Sequence, residues 1–190
     1  MNVLVFASGK GSNVRAILEA ARKGLLPNVK IRAVASDNPG APALQIAKEF
    51  GVEAAYIDPM RKGARFSPEG EMRYIEFAQK INPDLIVLAG FMRILPENFV
   101  EKFAGRAINL HPSLLPAYKG KDAIKRAFEA GEKTCGCTVH YVSNDLDGGE
   151  IIAQKKVDID PADTLESLTE KVHRAEYALM ADVLRKLSQK

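Results

Sequence analysis

Strand-length apolar runs that alternate with segments of helical periodicity constrain the fold of this chain more than any other feature. Residues 85–89 (LIVLA) are apolar at every position and show no alternation with polar residues. Such strands are typical of a parallel sheet that is covered by helices on both faces. The sequence therefore predicts an α/β fold.

These patterns predict the elements of the fold along the chain. The strands cover residues 2–7, 30–35, 53–57, 84–89, 106–110, 136–142 and 150–157. The helices cover residues 13–23, 42–50, 69–81, 96–103, 122–130 and 164–187, and residues 163–166 (DTLE) form a capping-box pattern that opens the last one. The last two strands are joined without a helix, so we expect that pair to be antiparallel. The expected fold is a Rossmann-like, mostly parallel, twisted sheet of about seven strands flanked by helices, with an antiparallel C-terminal strand pair and a long C-terminal helix.

Composition narrows the class of protein. A length of 190 residues with 46% hydrophobic residues suits one domain, 1–190, with a single core. The net charge is +3, and no block of like charges suggests binding to nucleic acid or to a membrane. The chain opens on a strand rather than on a charged leader, so we expect a cytoplasmic protein. Cys135 and Cys137 are too close for an unstrained disulfide and lack a second ligand cluster for zinc, so we expect reduced thiols.

In doubly wound sheets, ligands bind beyond the carboxyl ends of the strands, which directs attention to the loops there. The loop after the first strand contains Gly9, Gly11, Ser12 and Asn13. Glycines allow close backbone approach, and the first N–H groups of the following helix favour an anion. The glycine spacing fits neither the dinucleotide fingerprint nor the P-loop. A plain strand–helix turn is the simpler interpretation, and a monophosphate held by Gly11, Ser12 and Asn13 is the functional one.

Asn109 and His111 stand two residues apart at the end of the fifth predicted strand. Alternate residues of an extended chain face the same side, so the amide and the imidazole can converge on one carbonyl. We expect Asp147, from a later loop, to lie beside His111 and either raise its pKa or hold its tautomer. An amide, an imidazole and a carboxylate together suit the transfer of an acyl group to an amine. The alternative for residues 147–149 (DGG) is a simple hairpin turn.

Other segments are less specific. Residues 90–96 (GFMRILP) could be core, or could wall a pocket for a flat apolar ring if they lie beside the His111 loop. The basic loop 58–68 contains Gly and Pro and has a length that is common in mobile functional segments. We expect His140, inside a strand, to support the core or a neighbouring group, whereas His173 fits either a surface or a substrate-facing position.

Taken together, the motifs resemble those of the folate-dependent formyltransferases over essentially the whole chain. The shared motifs are residues 8–13 (SGKGSN), 90–95 (GFMRIL), 109–116 (NLHPSLLP), 138–140 (TVH) and 146–149 (LDGG). The Asn-x-His and Asp-Gly-Gly motifs are common to several formyl-group enzymes. The phosphate turn is similar to that of the members that act on glycinamide ribonucleotide. The resemblance implies transfer of the formyl group of 10-formyltetrahydrofolate to the amine of 5-phosphoribosylglycinamide in de novo purine biosynthesis, without a metal.

The resemblance also implies a role for each site residue. The catalytic residues would be Asn109, His111 and Asp147. The ribonucleotide substrate would be bound by Gly11, Ser12 and Asn13 at its phosphate and by Glu176 at its glycinamide end. The folate would contact Arg65, Met92, Arg93, Ile94, Leu95, Asn109, Val142, Ser143, Asn144, Asp145, Leu146 and Asp147. Members of the family often have a basic residue that contacts the folate in the loop before the 69–81 helix. Ser67 stands at that position in this chain, and Arg65 is the nearest basic residue. Residues 1–105 would thus carry the phosphate turn, and residues 106–190 the catalytic and folate-loop residues.

The implied mechanism is direct transfer through a tetrahedral oxyanion. The Asn109 amide and a protonated His111 would stabilise the oxyanion, with Asp147 keeping His111 protonated near neutral pH. A 10-formyltetrahydrofolate hydrolase-like enzyme would use water instead of the amine, and such relatives carry a regulatory domain. A tRNA formyltransferase would need an RNA-binding domain and a basic surface. A non-catalytic folate- or phosphate-binding module would not need the three catalytic residues. We expect small-molecule substrates and a monomer or homodimer.

Overall fold

The computed structural model describes residues 1–189. Its strands are β1 (Asn2–Phe6), β2 (Lys30–Ser36), β3 (Glu53–Tyr56), β4 (Leu85–Leu88), β5 (Ala107–His111), β6 (Thr134–Tyr141) and β7 (Ile151–Asp158). Its helices are α1 (Ser12–Arg22), α2 (Pro42–Glu49), α3 (Pro68–Ile81), α4 (Glu97–Lys102), α5 (Ala123–Glu129) and α6 (Leu165–Leu187). Every predicted element is present, with ends that agree within about two residues, the usual uncertainty of such boundaries.

The strands form one sheet in the order β3-β2-β1-β4-β5-β6-β7. β1 to β5 are all parallel to one another, which confirms the mostly parallel, Rossmann-like sheet. β6 runs antiparallel to both β5 and β7, so the predicted antiparallel C-terminal pair is confirmed and the change of direction begins one strand earlier. The strand order reverses between β1 and β4, and this is where an open α/β sheet offers a ligand site.

Both faces of the sheet are buried, as the apolar strands predicted. In β1, Val3 and Val5 face a core that also contains residues of α1, α2, α5 and α6. Leu4 and Phe6 face the opposite core, which includes Tyr74 of α3 and Phe99 of α4. Because successive side chains of a strand point to opposite faces, a strand between two helical layers must be apolar throughout.

The start of α6 corrects one prediction from sequence. Ser167 N donates to Thr164 Oγ1 over 3.2 Å, and Thr164 N donates to Ser167 Oγ over 3.0 Å. The reciprocal box therefore joins Thr164 to Ser167, not Asp163 to Glu166, because the N-cap lies one residue later than the pattern indicated. Asp163 instead accepts from Lys171 Nζ over 2.7 Å.

Residues 1–189 contain no helix that is both long and apolar enough to cross a membrane. Within the same range, no group of three or more His, Cys, Asp or Glu side chains could hold a metal ion. Cys135 and Cys137 are free thiols in β6. Burial raises the pKa of Cys135 to about 11 and that of Cys137 to about 12, so both are protonated at neutral pH.

Candidate active site

A cleft of about 660 Å³ opens at the carboxyl ends of β1, β4 and β5. The loops after β1 and β4 are joined directly, since Ser8 N donates to Gly90 O over 3.1 Å and Met92 N donates to Ser8 Oγ over 2.8 Å. These two strands are the neighbours at which the sheet order reverses. The cleft therefore lies where the topology predicts a ligand site.

One wall of the cleft is the start of α1. Gly11, Ser12 and Asn13 line it, and among residues 1–189 no side chain caps the first N–H groups of the helix. Gly11 has a left-handed backbone with φ of 75°, and a Cβ there would lie 2.7 Å from Ala43 Cα. Glycine is thus required both by the backbone conformation and by the close approach of α2. The exposed amides leave this turn able to bind an anion.

Glu176 of α6 lies beside this turn. It is 4% exposed, and its Oε2 accepts from Asn13 Nδ2 over 3.2 Å. Burial raises the pKa of Glu176 to about 7, although the Asn13 hydrogen bond opposes the rise. His173 Nε2 is 4.0 Å from the same oxygen, and the partly exposed His173 side chain lines the cleft. Burial, and then the nearby Lys10, lower the pKa of His173.

Asp147 contacts both Asn109 and His111 of β5. Its Oδ1 accepts from Asn109 Nδ2 over 3.2 Å, and its Oδ2 lies 3.4 Å from His111 Nδ1. Gly120 N donates to the same Oδ2 over 2.8 Å. Burial alone would raise the pKa of Asp147, but the proximity of His140, the hydrogen bond from Gly120 and the proximity of His111 outweigh it and hold the pKa at about 2. The carboxylate is ionised at neutral pH, and the expected meeting of amide, imidazole and carboxylate is present.

The His111 ring has a defined orientation. Its Nε2 lies 2.9 Å from the carbonyl oxygen of Tyr118, which can only accept, so Nε2 carries a proton. Nδ1 is therefore the ring atom that faces Asp147, on the side where Asn109 also lies. Burial lowers the pKa of His111, and the Tyr118 hydrogen bond and Asp147 offset this only in part. Asp147 raises the pKa of His111, as expected, but burial is the larger effect and the net shift is downward.

His140 contacts Asn109 and lies beside Asp147, which its place inside a strand did not predict. Its Nδ1 donates to Tyr141 O over 2.8 Å, which leaves Nε2 as an acceptor 3.2 Å from Asn109 Nδ2. The same Nε2 is 3.6 Å from Asp147 Oδ1. His140 pairs with Asn109 in the antiparallel register of β5 and β6, so it can be placed only when that pairing is known. It thereby orients the Asn109 amide.

Apolar side chains and the 143–147 loop form the other wall. Met92 is 56% exposed, Ile94 39% and Leu146 54%, an unusual exposure for such residues in a cleft. All but one of the predicted folate-contacting residues line the cleft: Met92, Arg93, Ile94, Leu95, Asn109, Val142, Ser143, Asn144, Asp145, Leu146 and Asp147. The exception is Arg65, which is exposed and lies outside the lining, where Ala64 takes its place.

The guanidinium of Arg93 is engaged with the protein. Its Nε lies 2.7 Å from Asp37 Oδ2, with both side chains nearly buried. Its Nη1 donates to the carbonyl oxygens of Arg61, Gly63 and Arg65. Loop 58–67 is therefore fixed to the cleft through Arg93.

The chain is similar to known proteins in both sequence and structure. A family model described as formyl transferase matches residues 1–184. Phosphoribosylglycinamide formyltransferase of Haemophilus influenzae is 38% identical over 183 residues, which is 96% of this chain and 85% of that protein. Trifunctional purine biosynthetic protein adenosine-3 of Drosophila melanogaster is 42% identical over 178 residues, which is 92% of this chain but 13% of that longer protein. The crystal structure of glycinamide ribonucleotide transformylase 1 from Symbiobacterium toebii superposes with a TM-score of 0.92 at 35% identity, covering 100% of this chain and 88% of that one.

Proposed function

Since the chain belongs to the formyl transferase family, we propose that it transfers the formyl group of 10-formyltetrahydrofolate to the amine of 5-phosphoribosylglycinamide. The products are formylglycinamide ribonucleotide and tetrahydrofolate, in a step of de novo purine biosynthesis. The observation that carries the proposal is the cluster of Asn109, His111 and Asp147 in a cleft that has an uncapped helix start on one wall and exposed apolar side chains on the other.

Each wall suits one of the two substrates. The free N–H groups at Gly11, Ser12 and Asn13 are suited to the phosphate of the ribonucleotide. Glu176, beside that turn, is suited to accept from the glycinamide amine. The apolar wall with Met92, Ile94 and Leu146 is suited to the flat ring system of the folate.

The transfer begins with attack of the amine nitrogen on the formyl carbon. The new C–N bond gives a tetrahedral intermediate with an oxyanion and a positively charged nitrogen. Neutral His111 accepts the proton of that nitrogen at Nδ1. Its lowered pKa favours the neutral ring, and because Nε2 carries the ring proton, Nδ1 has the free lone pair. The neighbouring Asp147 stabilises the imidazolium, which then donates the proton to N10 as the C–N10 bond breaks.

The oxyanion is stabilised by the Asn109 amide and by His111 once it is protonated. Both Nδ2 hydrogens of Asn109 point to Asp147 and His140, so donation to the oxyanion requires one of these contacts to be exchanged. A donor of this kind typically contributes about 100- to 1,000-fold to turnover. The cysteine thiols are buried, protonated and outside the cleft lining, which favours direct transfer over a covalent formyl-enzyme.

We further propose that residues 1–190 act as one formyltransferase domain. The phosphate turn lies in residues 1–105, and the catalytic residues and the 143–147 loop lie in residues 106–190. The protein would work in the cytoplasm as a monomer or homodimer on two small-molecule substrates, without nucleic acid or a membrane.

A spectrophotometric assay tests the proposal. The chain is mixed with 10-formyl-dideazafolate, with and without glycinamide ribonucleotide, and deformylation of the folate analogue is followed. We expect turnover only when the ribonucleotide is present, and its loss in His111→Ala. Turnover without the amine would instead indicate a hydrolase, and absence of turnover in both mixtures would indicate a binding module.

A further inference from the structure

The carbonyl oxygen of Tyr118 is shared by two donors. His111 Nε2 lies 2.9 Å from it on one side, and Arg126 Nη2 lies 2.9 Å from it on the other. Arg126 belongs to α5 and is not among the residues that line the cleft. The imidazole is therefore connected, through one backbone oxygen, to a cation on the outside of the site.

Arg126 fixes the loop that carries this carbonyl in several ways. Its Nη2 also donates to Lys119 O, and its guanidinium lies 5.7 Å from the centre of the Tyr118 ring. Tyr118 Oη donates to Glu132 Oε1 over 2.6 Å. Tyr118 has a φ of 55°, a left-handed conformation that is costly for an aromatic residue and needs such external contacts to persist.

We propose that Arg126 is a positioning residue which, by holding the Tyr118 carbonyl against Nε2, keeps the proton of neutral His111 on Nε2 and its lone pair on Nδ1. Neutral histidine has two tautomers, and the partner of one nitrogen selects between them. Only the Nε2–H tautomer presents an acceptor toward Asn109 and Asp147, where the reacting amine must lie. This role rests on the proposed function in one respect, that His111 carries the proton during formyl transfer.

The groups that face His111 have opposing effects on its pKa, which makes the inference testable. Burial lowers the pKa, the Tyr118 hydrogen bond and Asp147 raise it, and His140 and Arg126 lower it. If Arg126 acts only through its charge, its removal must raise the pKa of His111. If it acts by holding the carbonyl, its removal weakens the Tyr118 hydrogen bond and the pKa must fall.

NMR of the ¹⁵N-labelled imidazole separates these roles without any assay of turnover. We would compare Arg126→Met, which keeps the aliphatic stem, with Arg126→Lys, which keeps a charge and a donor. Lys125→Met is the matched control, because Lys125 lies on the same helix, is exposed and, within residues 1–189, forms an ion pair only with Glu129 at 3.7 Å. It removes one positive charge without touching the Tyr118 carbonyl.

We expect Arg126→Met to lose the protected Nε2–H signal, to show mixed tautomers and to lower the pKa of His111. Its kcat should fall about tenfold with both KM values nearly unchanged, because the proton acceptor is misplaced rather than the substrates. Arg126→Lys should keep most of the signal, and Lys125→Met all of it. A wild-type Nε2–H signal in Arg126→Met would overturn the inference. If the wild-type chain transfers no formyl group, the proposed function fails while the tautomer result still decides the role of Arg126.

Discussion

Asn109 Nδ2 donates to Asp147 Oδ1 over 3.2 Å, which links a strand residue to a residue of a distant loop. The other oxygen of Asp147 accepts from Gly120 N and faces His111 Nδ1. The carboxylate thus fixes the amide, the imidazole and a third loop at once. Because the groups share one partner, the effects of single substitutions will not be additive.

Replacing Asp147 with asparagine should therefore affect more than charge. An amide has one acceptor oxygen, so either Asn109 or Gly120 loses its partner, and we predict a fall in kcat of about 100- to 1,000-fold. The pKa of His111 should fall further, because Asp147 raises it. Steady-state kinetics and an imidazole NMR titration measure both effects. Glu150→Gln, which removes an exposed charge just after the loop, is the control, and equal kcat in the two variants would contradict the prediction.

Glu176 should make the stability of the chain depend on pH. Its pKa is raised to about 7 in the folded chain by burial, so its protonated form is favoured below that pH. The stabilisation from this proton is complete below the unfolded pKa and is lost as the pH rises through about 7. The size of the shift corresponds to about 3 kcal/mol.

Urea unfolding of wild type and Glu176→Gln at pH 5 to 8 measures the contribution of the Glu176 proton to the free energy of unfolding. We expect the free energy of unfolding of wild type to decline relative to the variant as the pH rises. A constant difference between the two proteins across this range would show that Glu176 is not held protonated by burial.

Two asparagines should separate the substrates. Asn13 lies on the wall formed by the start of α1, where it donates to Glu176, and Asn144 lies in the loop of the opposite wall. We predict that Asn13→Ala raises the KM for the ribonucleotide about tenfold, as for loss of a hydrogen bond to a charged group, with little change for folate. Asn144→Ala should do the reverse. Steady-state kinetics with each substrate varied in turn measures both KM values. If Asn13→Ala raised the KM for folate and Asn144→Ala that for the ribonucleotide, the assignment of the two walls would be wrong.

The ion pair between Arg93 and Asp37 should protect loop 58–67 from proteolysis. Asp37→Asn removes the charge, and disruption of a nearly buried pair costs about 3 kcal/mol, so trypsin cleavage after Arg61, Lys62 or Arg65 should accelerate at least about tenfold. Glu49→Gln is the control, because the Arg15–Glu49 pair at 3.1 Å is 44% exposed on each side and contributes little. Equal cleavage rates in the two variants would contradict a fixing role for Arg93.

The sequence predicted those parts of the site that depend only on residues close together in the chain. Asn109 and His111 share one side of β5 because they are two residues apart, and Gly11 stands where the backbone must turn left-handed. The elements themselves follow from periodicity and helix signals, since the apolar pattern of a strand or helix is a local property.

Other features depend on contacts that no local pattern encodes. His140 contacts Asn109 only because of the antiparallel register of β5 and β6. Arg93, in the loop after β4, pairs with Asp37, in the loop after β2. The direction of the His111 pKa shift could not be predicted either. A carboxylate neighbour was visible in the sequence, but the larger effect is burial, which exists only in the folded chain.

The most direct measurement follows an isotope through the reaction. The chain is incubated with a folate donor that carries ¹³C in its formyl group and with glycinamide ribonucleotide, and the products are identified by mass spectrometry. We predict that the label appears in formylglycinamide ribonucleotide in step with release of deformylated folate, and that His111→Ala abolishes both. Labelled formate without a labelled amide would contradict formyl transfer between the two substrates in this cleft.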